Sequence, residues 1–250
     1  MKLSELLPIV QDEKRSEEYL YSLNILKTFS NCPRCNSVSI GIIRGKKWIC
    51  HTCNHEWTKR KDSILSLTRI KYSEFILCLK FFELEITAER TANQLNINYK
   101  TVLLLFRSFR SLIAGKKIKS QSDEKIILKK DIEAIGIIYE KGKYYFDFEN
   151  KSSKNIAELN LHRNRVPNSA AIYEAAIKII KTTETQSLFN LTPSLQHFIR
   201  YAKEKLFVFR GTDKNYLELY LREIEFRFNN SPAVIYVRLC NLISENFCVR

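Results

Sequence analysis

The sequence predicts an α+β or α/β chain in two parts, and three observations carry that prediction. Two C-x2-C pairs stand 14 residues apart near the start, as Cys32-Pro33-Arg34-Cys35 and Cys50-His51-Thr52-Cys53. Apolar residues recur at helical spacing through 73–113, with interruptions at 86–87 and 96–98. Beyond residue 131 the pattern changes: β-rich runs come first and helical runs later, the order of an α+β or α/β domain.

Bulk composition narrows the class. A chain of 250 residues can hold one full domain plus smaller modules, and 45% hydrophobic with 27% charged residues is ordinary for a folded protein. No apolar run approaches the roughly 20 residues of a membrane span, and MKLSELLPIVQDEKRSEEY turns acidic too early for a signal peptide. The expectation is an intracellular protein with no membrane partner. The net charge is +14, and segment 27–72 alone carries ten basic residues against two acidic ones. Positive charge gathered in one segment is what a polyanion-binding module needs, because each neutralised phosphate releases counterions. A solvated basic surface is the plain alternative. Seven cysteines are an odd number, which argues against a disulfide framework inside a cell. Four form the two pairs; Cys78, Cys240 and Cys248 sit in apolar contexts and read as core or incidental thiols.

Taken in order, residues 1–29 read as N-terminal helices with a break near Pro8. Residues 30–58 form the cysteine module. A C-x2-C turn lets two thiolates reach one ion, and a second pair completes a tetrahedral site of four cysteines. VSIGII and KKWIC supply short strands around Arg44-Gly45, and HEW follows the second pair, which is the layout of a zinc ribbon. A redox C-x-x-C is the alternative. His51 and His55 could ligate, but four cysteines leave no vacancy. Such a closed site holds structural zinc, because no position remains for water. Arg34, Arg44, Lys46, Lys47, Lys59, Arg60 and Lys61 surround it as candidate phosphate contacts, while Trp48 and Trp57 read as core.

Residues 73–114 read as a helix-turn-helix region. An apolar helix at 74–84 precedes a short helix opened by Thr87, a turn at Asn96-Ile97-Asn98 with Ile97 as the buried plug, and a longer helix from Tyr99. Tyr99, Lys100 and Thr101 open that last helix, where base edges are met; Arg107 and Arg110 are candidate phosphate contacts. Residues 115–124 are the linker. In 125–250, runs 132–139 and 143–148 predict a hairpin, 155–161 a short helix, and 170–173 a buried strand. Helices follow at 193–207, 214–228 and 232–245. The apolar helix at 215–228 reads first as core and in second place as a homodimer surface.

With these motifs in order, the chain resembles the insertion-sequence transposases related to the Merlin elements, with an ISXO2-like transposase domain. CPRC, CHTC, the closing HEW and NQLNINYKTV match in sequence order. HFIRYAKEKLFVFRGTDKNYLELYLREIEFRFNN is similar to the family's run of F-W-S-x-A-K-x-R-L, a short F-x-G segment and a closing E-x-x-F-R-F-N. IGIIYEKGKYYFDF resembles its second and third strands, and VPNSAAIYEA its fourth. The resemblance covers roughly 27–245 and implies a reduced RNase H-like (DDE) domain over 125–250, with double-stranded DNA as partner.

The family cleaves and joins strands with two Mg²⁺ ions on three carboxylates. Carried over residue by residue, the triad positions fall on Asp123 (with Asp131 second), Glu174 and Gln196. Glutamate moves its carboxylate by about 1 Å, and glutamine loses the charge; displacements of that size cost orders of magnitude in rate. The resemblance therefore implies a DNA-binding protein whose triad is degraded, with Mg²⁺ relevant only to an active enzyme. The alternatives are an active transposase using Glu184 or Glu204 as third acid, and an interaction subunit of a chromatin or transcription complex. The setting expected is the cytoplasm and nucleoid of a bacterium, or a eukaryotic nucleus.

Overall fold

The computed structural model describes residues 1–44, 47–115, 134–140, 142–147, 159–160, 193–208 and 216–246. They form an α+β fold in two compact units, Met1–Leu112 with Ala233–Arg250, and Ile113–Pro232.

The first unit opens with α1 (Leu3–Val10) and α2 (Glu13–Ser22). Pro8 does not break the chain, as the sequence suggested, but lies inside α1. The break falls at Gln11–Asp12, because the Asp12 carboxylate accepts the Lys14 N–H at 2.9 Å and so starts a new helix. Next comes an antiparallel sheet of β1 (Ile40–Ile43), β2 (Lys47–Cys50) and β3 (Glu56–Thr58), with Trp48 paired to Trp57 across β2 and β3. A 3₁₀ turn at Ile64–Leu67 leads into α3 (Tyr72–Glu83), α4 (Ala88–Leu95) and α5 (Tyr99–Ile113).

Polar residues set the helix limits. The Thr87 hydroxyl accepts from the Arg90 N–H at 3.3 Å to start α4. Asn96 ends it in the left-handed region at φ 51°, and Asn98 starts α5 by accepting from the Lys100 N–H at 2.8 Å. Ile97 is half-buried rather than a fully enclosed plug. Behind the turn, Val102, Leu105, Phe106, Phe109 and Leu112 of α5 are buried. Phe82 of α3 meets Phe106 and Phe109 edge-on at 5.1 and 5.3 Å.

In the second unit, β4 (Ala134–Glu140), β5 (Lys143–Asp147) and β6 (Leu159–Asn160) form an antiparallel sheet ordered β5-β4-β6. The expected hairpin is β4–β5. The expected helix at 155–161 is not what forms at its described residues: Leu159 and Asn160 pair with Ile135 and Ala134. So short a segment sustains no helix by itself, whereas β4 supplies backbone partners at once. The expected strand at 170–173 lies outside the described residues. Helices α6 (Pro193–Val208) and α7 (Leu217–Phe228) follow. Phe198 of α6 stacks on Tyr144 at 5.3 Å and meets Phe228 edge-on at 4.9 Å, which fixes both helices on β5.

Helix α7 holds β5 by polar contacts as well. Asn229, just past its end, accepts the Tyr144 N–H at 2.9 Å and donates to the Tyr144 carbonyl at 2.6 Å. Glu225 accepts the Phe146 N–H, and Arg222 donates to the Phe146 carbonyl at 3.2 Å. Glu223 and Arg227 form a buried ion pair at 2.7 Å. The E-x-x-F-R-F-N run is thus a packing device in this chain.

Helix α8 (Pro232–Asn246) departs from the expected 125–250 domain, because residues 233–250 belong with the N-terminal unit. Its face of Ile235, Tyr236, Leu239, Cys240 and Ile243 is buried. Lys27 donates to the Ser244 carbonyl at 3.1 Å, and the Lys80 ammonium lies 6.0 Å from the Tyr236 ring. Cys78 and Cys240 are core residues, as expected, and burial pushes both thiols up to about 12. Among the described residues no helix is long and apolar enough to cross a membrane.

Candidate metal centre and nucleic-acid interface

Each cysteine pair folds into the same knuckle. The Asn36 N–H donates to the Cys32 carbonyl at 2.9 Å, and the Asn54 N–H donates to the Cys50 carbonyl at 2.9 Å. Closing so tight a turn puts Asn36 and Asn54 in the left-handed region, at φ 59° and 54°. Asparagine tolerates that region better than most residues. Both knuckles read C-x-x-C-N; the asparagines were legible but carried no weight in the sequence reading.

The knuckles bring four sulfur atoms within 4.8 Å of one another. Cys32 and Cys53 sulfurs are 3.7 Å apart, and those of Cys35 and Cys50 are 3.5 Å apart. A tetrahedron with Zn–S bonds of about 2.3 Å has edges of about 3.8 Å, so the cage fits zinc closely. Backbone N–H groups are aimed at the sulfurs. At Cys32, burial opposes the thiolate, but the N–H groups of Cys35 and Arg34 outweigh it and lower the thiol. Burial also opposes the Cys50 thiolate, yet the Cys53 and Thr52 N–H groups bring it down to about 6. At Cys35 the Ser37 N–H lowers the thiol, and hydrogen bonds with the Cys53, Cys50 and Cys32 sulfurs override it and push it up to about 12.

These directions predict a proton-coupled site. Metal binding must displace the proton held at Cys35, and below about pH 6 the one returning to Cys50 as well. Zinc affinity is therefore expected to fall steadily from about pH 8 to about pH 5.5, more steeply below about 6. Competition with a chromophoric chelator across that range checks it, and a pH-independent affinity would refute it.

Trp57 is 5% exposed, stacks on Trp48 at 6.4 Å and takes the edge of Phe29 at 5.6 Å. The tryptophans are the ribbon's core, and His55 stacks on Trp57 instead of joining the sulfur cage.

The basic residues divide into two groups. Arg34 and Arg44 are exposed; Lys46 lies outside the described residues. Lys47 pairs with Glu56 at 3.0 Å and Lys61 with Asp62 at 3.4 Å. Lys59 pairs with Glu17 at 2.7 Å. Arg60 donates to the carbonyls of Thr68 and Ile70. Arg110 is 8% exposed, its guanidinium 5.4 Å from the Phe82 ring, and Arg107 is half-buried. Arg110 thus faces the helical core, because its spacing puts it on the same face as Phe106. At the start of α5, Tyr99 is 48% exposed, Lys100 is exposed and Thr101 half-buried. Arg90, Asn93 and Gln94 on α4 are exposed as well.

Of the triad positions, Gln196 lies exposed in the first turn of α6, and the alternative acid Glu204 is exposed on the same helix. Asp123, Glu174, Asp131 and Glu184 lie outside the described residues. Compared with known proteins, the chain matches no family model, no curated protein and no solved structure.

Proposed function

We propose that this chain is a zinc-dependent, sequence-specific binder of double-stranded DNA, descended from an insertion-sequence transposase and without strand-transfer activity. The observation that carries the reading is the helix pair α4–α5, whose apolar face is buried while Tyr99 and Lys100 stand exposed at the start of the second helix. A four-cysteine ribbon with exposed Arg34 and Arg44 in the same unit supports it. The helix N-terminus adds partial positive charge where a phosphate would approach. Descent, and the reading of 125–232 as a reduced RNase H-like domain, rest on the resemblance of the sequence. DNA as partner places the protein on the nucleoid or in the nucleus.

The test is fluorescence anisotropy of the full chain on duplexes selected from a random library, with and without Mg²⁺ or Mn²⁺. With about four phosphate contacts, affinity should fall on the order of a hundredfold between about 50 and about 200 mM salt. Lys100→Ala should weaken binding and reduce the salt slope by about one. Metal-dependent cleavage would instead establish an active transposase. Absence of any salt-sensitive DNA binding would leave the interaction-subunit reading standing.

A further inference from the structure

Where β3 ends, the chain enters a dense polar cluster. Lys59, the first residue past the ribbon, pairs with Glu17 of α2, both side chains little exposed at 23% and 21%. Arg60 follows and donates to the Thr68 carbonyl at 3.0 Å and the Ile70 carbonyl at 2.6 Å. Its guanidinium lies 4.9 Å from the Tyr72 ring, at the first residue of α3. One turn before Glu17, Glu13 accepts the Tyr72 N–H at 2.6 Å and the Ser73 N–H at 3.2 Å, with the Ser73 hydroxyl at 2.8 Å. A carboxylate there satisfies the open donors and the positive end of α3. Tyr21 completes this face of α2, its hydroxyl pushed up to about 12 by burial and by the Glu17 carboxylate.

The ribbon exit and the start of α3 are therefore both held on α2, by Glu17 and Glu13, and Arg60 joins them through the Ile70 carbonyl and the Tyr72 ring. Sequence reading had given Lys59 and Arg60 to phosphate; both are engaged within the fold. The ribbon is small, and among the described residues its core is the cysteine cage with Phe29, Ile40, Trp48 and Trp57. Such modules lose their order when the metal leaves.

We propose that Lys59 and Arg60 are positioning residues that tie the metal-held ribbon to the N-terminus of α3, so that zinc occupancy sets the order of the first turn of α3. The proposal rests on the metal reading above and deepens it. Without zinc, β3 no longer presents Lys59 and Arg60, and the clasp around Tyr72 opens.

Hydrogen–deuterium exchange on the full chain, without DNA, tests this, with zinc content measured beforehand. In the wild type, chelation should speed exchange at the Tyr72 and Ser73 amides by about tenfold or more, as for the loss of one charge-assisted hydrogen bond. In Arg60→Met with zinc still bound, exchange at those amides should already be fast, and chelation should add little. Arg60→Lys, which keeps one donor to the two carbonyls, should restore part of the protection. If zinc is bound yet chelation leaves both amides protected, the coupling is overturned while the metal site stands. Additive effects of chelation and Arg60→Met also overturn it, as does protection lost evenly along α3 to Phe82. A full chain that binds no zinc overturns both readings together.

Discussion

Cys50→Ser is expected to abolish zinc binding and with it the order of β1–β3. Cys50 is fully buried, ends β2 and opens the second knuckle. A serine hydroxyl is a weak ligand for zinc, and the three cysteines that remain leave the coordination shell open. Structural zinc contributes about 10–16 kcal/mol of apparent binding free energy in small modules, more than such a sheet can replace. The chain contains two tryptophans, both in this ribbon, so tryptophan emission reports on it alone. Loss of one equivalent of zinc by elemental analysis, together with a red-shifted emission, is the expected result. Full zinc content with unshifted emission would remove the four-cysteine cage from consideration as a metal site.

Phe109→Ala should be the most destabilising single change in the helical part of the first unit. The ring is fully buried and meets Phe82 at 5.3 Å and Phe75 at 6.1 Å, both edge-on. Truncating a buried aromatic costs about 3–5 kcal/mol, a large share of the roughly 5–15 kcal/mol that holds a domain folded. Urea unfolding followed by far-UV circular dichroism measures it. Tyr99→Ala on the same helix is the contrast: at 48% exposure it should shift stability by about 0.5 kcal/mol or less while weakening DNA binding. If Tyr99→Ala proves as destabilising as Phe109→Ala, the exposed start of α5 is not the face assigned here.

What could be read from the sequence was local. The cysteine knuckles, the Thr87 cap and the β4–β5 hairpin are each specified within a few residues, and the structure forms them where expected. What could not be read were partners distant along the chain. Charge marked Lys59 and Arg60 as cations, but nothing near them in sequence announced Glu17, 42 positions from Lys59. Arg110 looked like a phosphate contact because its helix ends basic; only the packing of α3 shows that its face is interior. The apolar stripe of α8 was legible, yet periodicity says that a face is buried and not against which unit.

The polar contacts from α7 to Tyr144 and Phe146 have a topological consequence. Outer borders of sheets invite further strands, because their backbone groups stand ready to pair. At the β5 border those groups are already taken by Asn229, Glu225 and Arg222. A strand from a second copy cannot zip onto β5 unless α7 first lets go, so strand exchange on that flank is suppressed by side chains rather than by another strand. Any growth of this sheet is thereby turned away from the closed β5 flank.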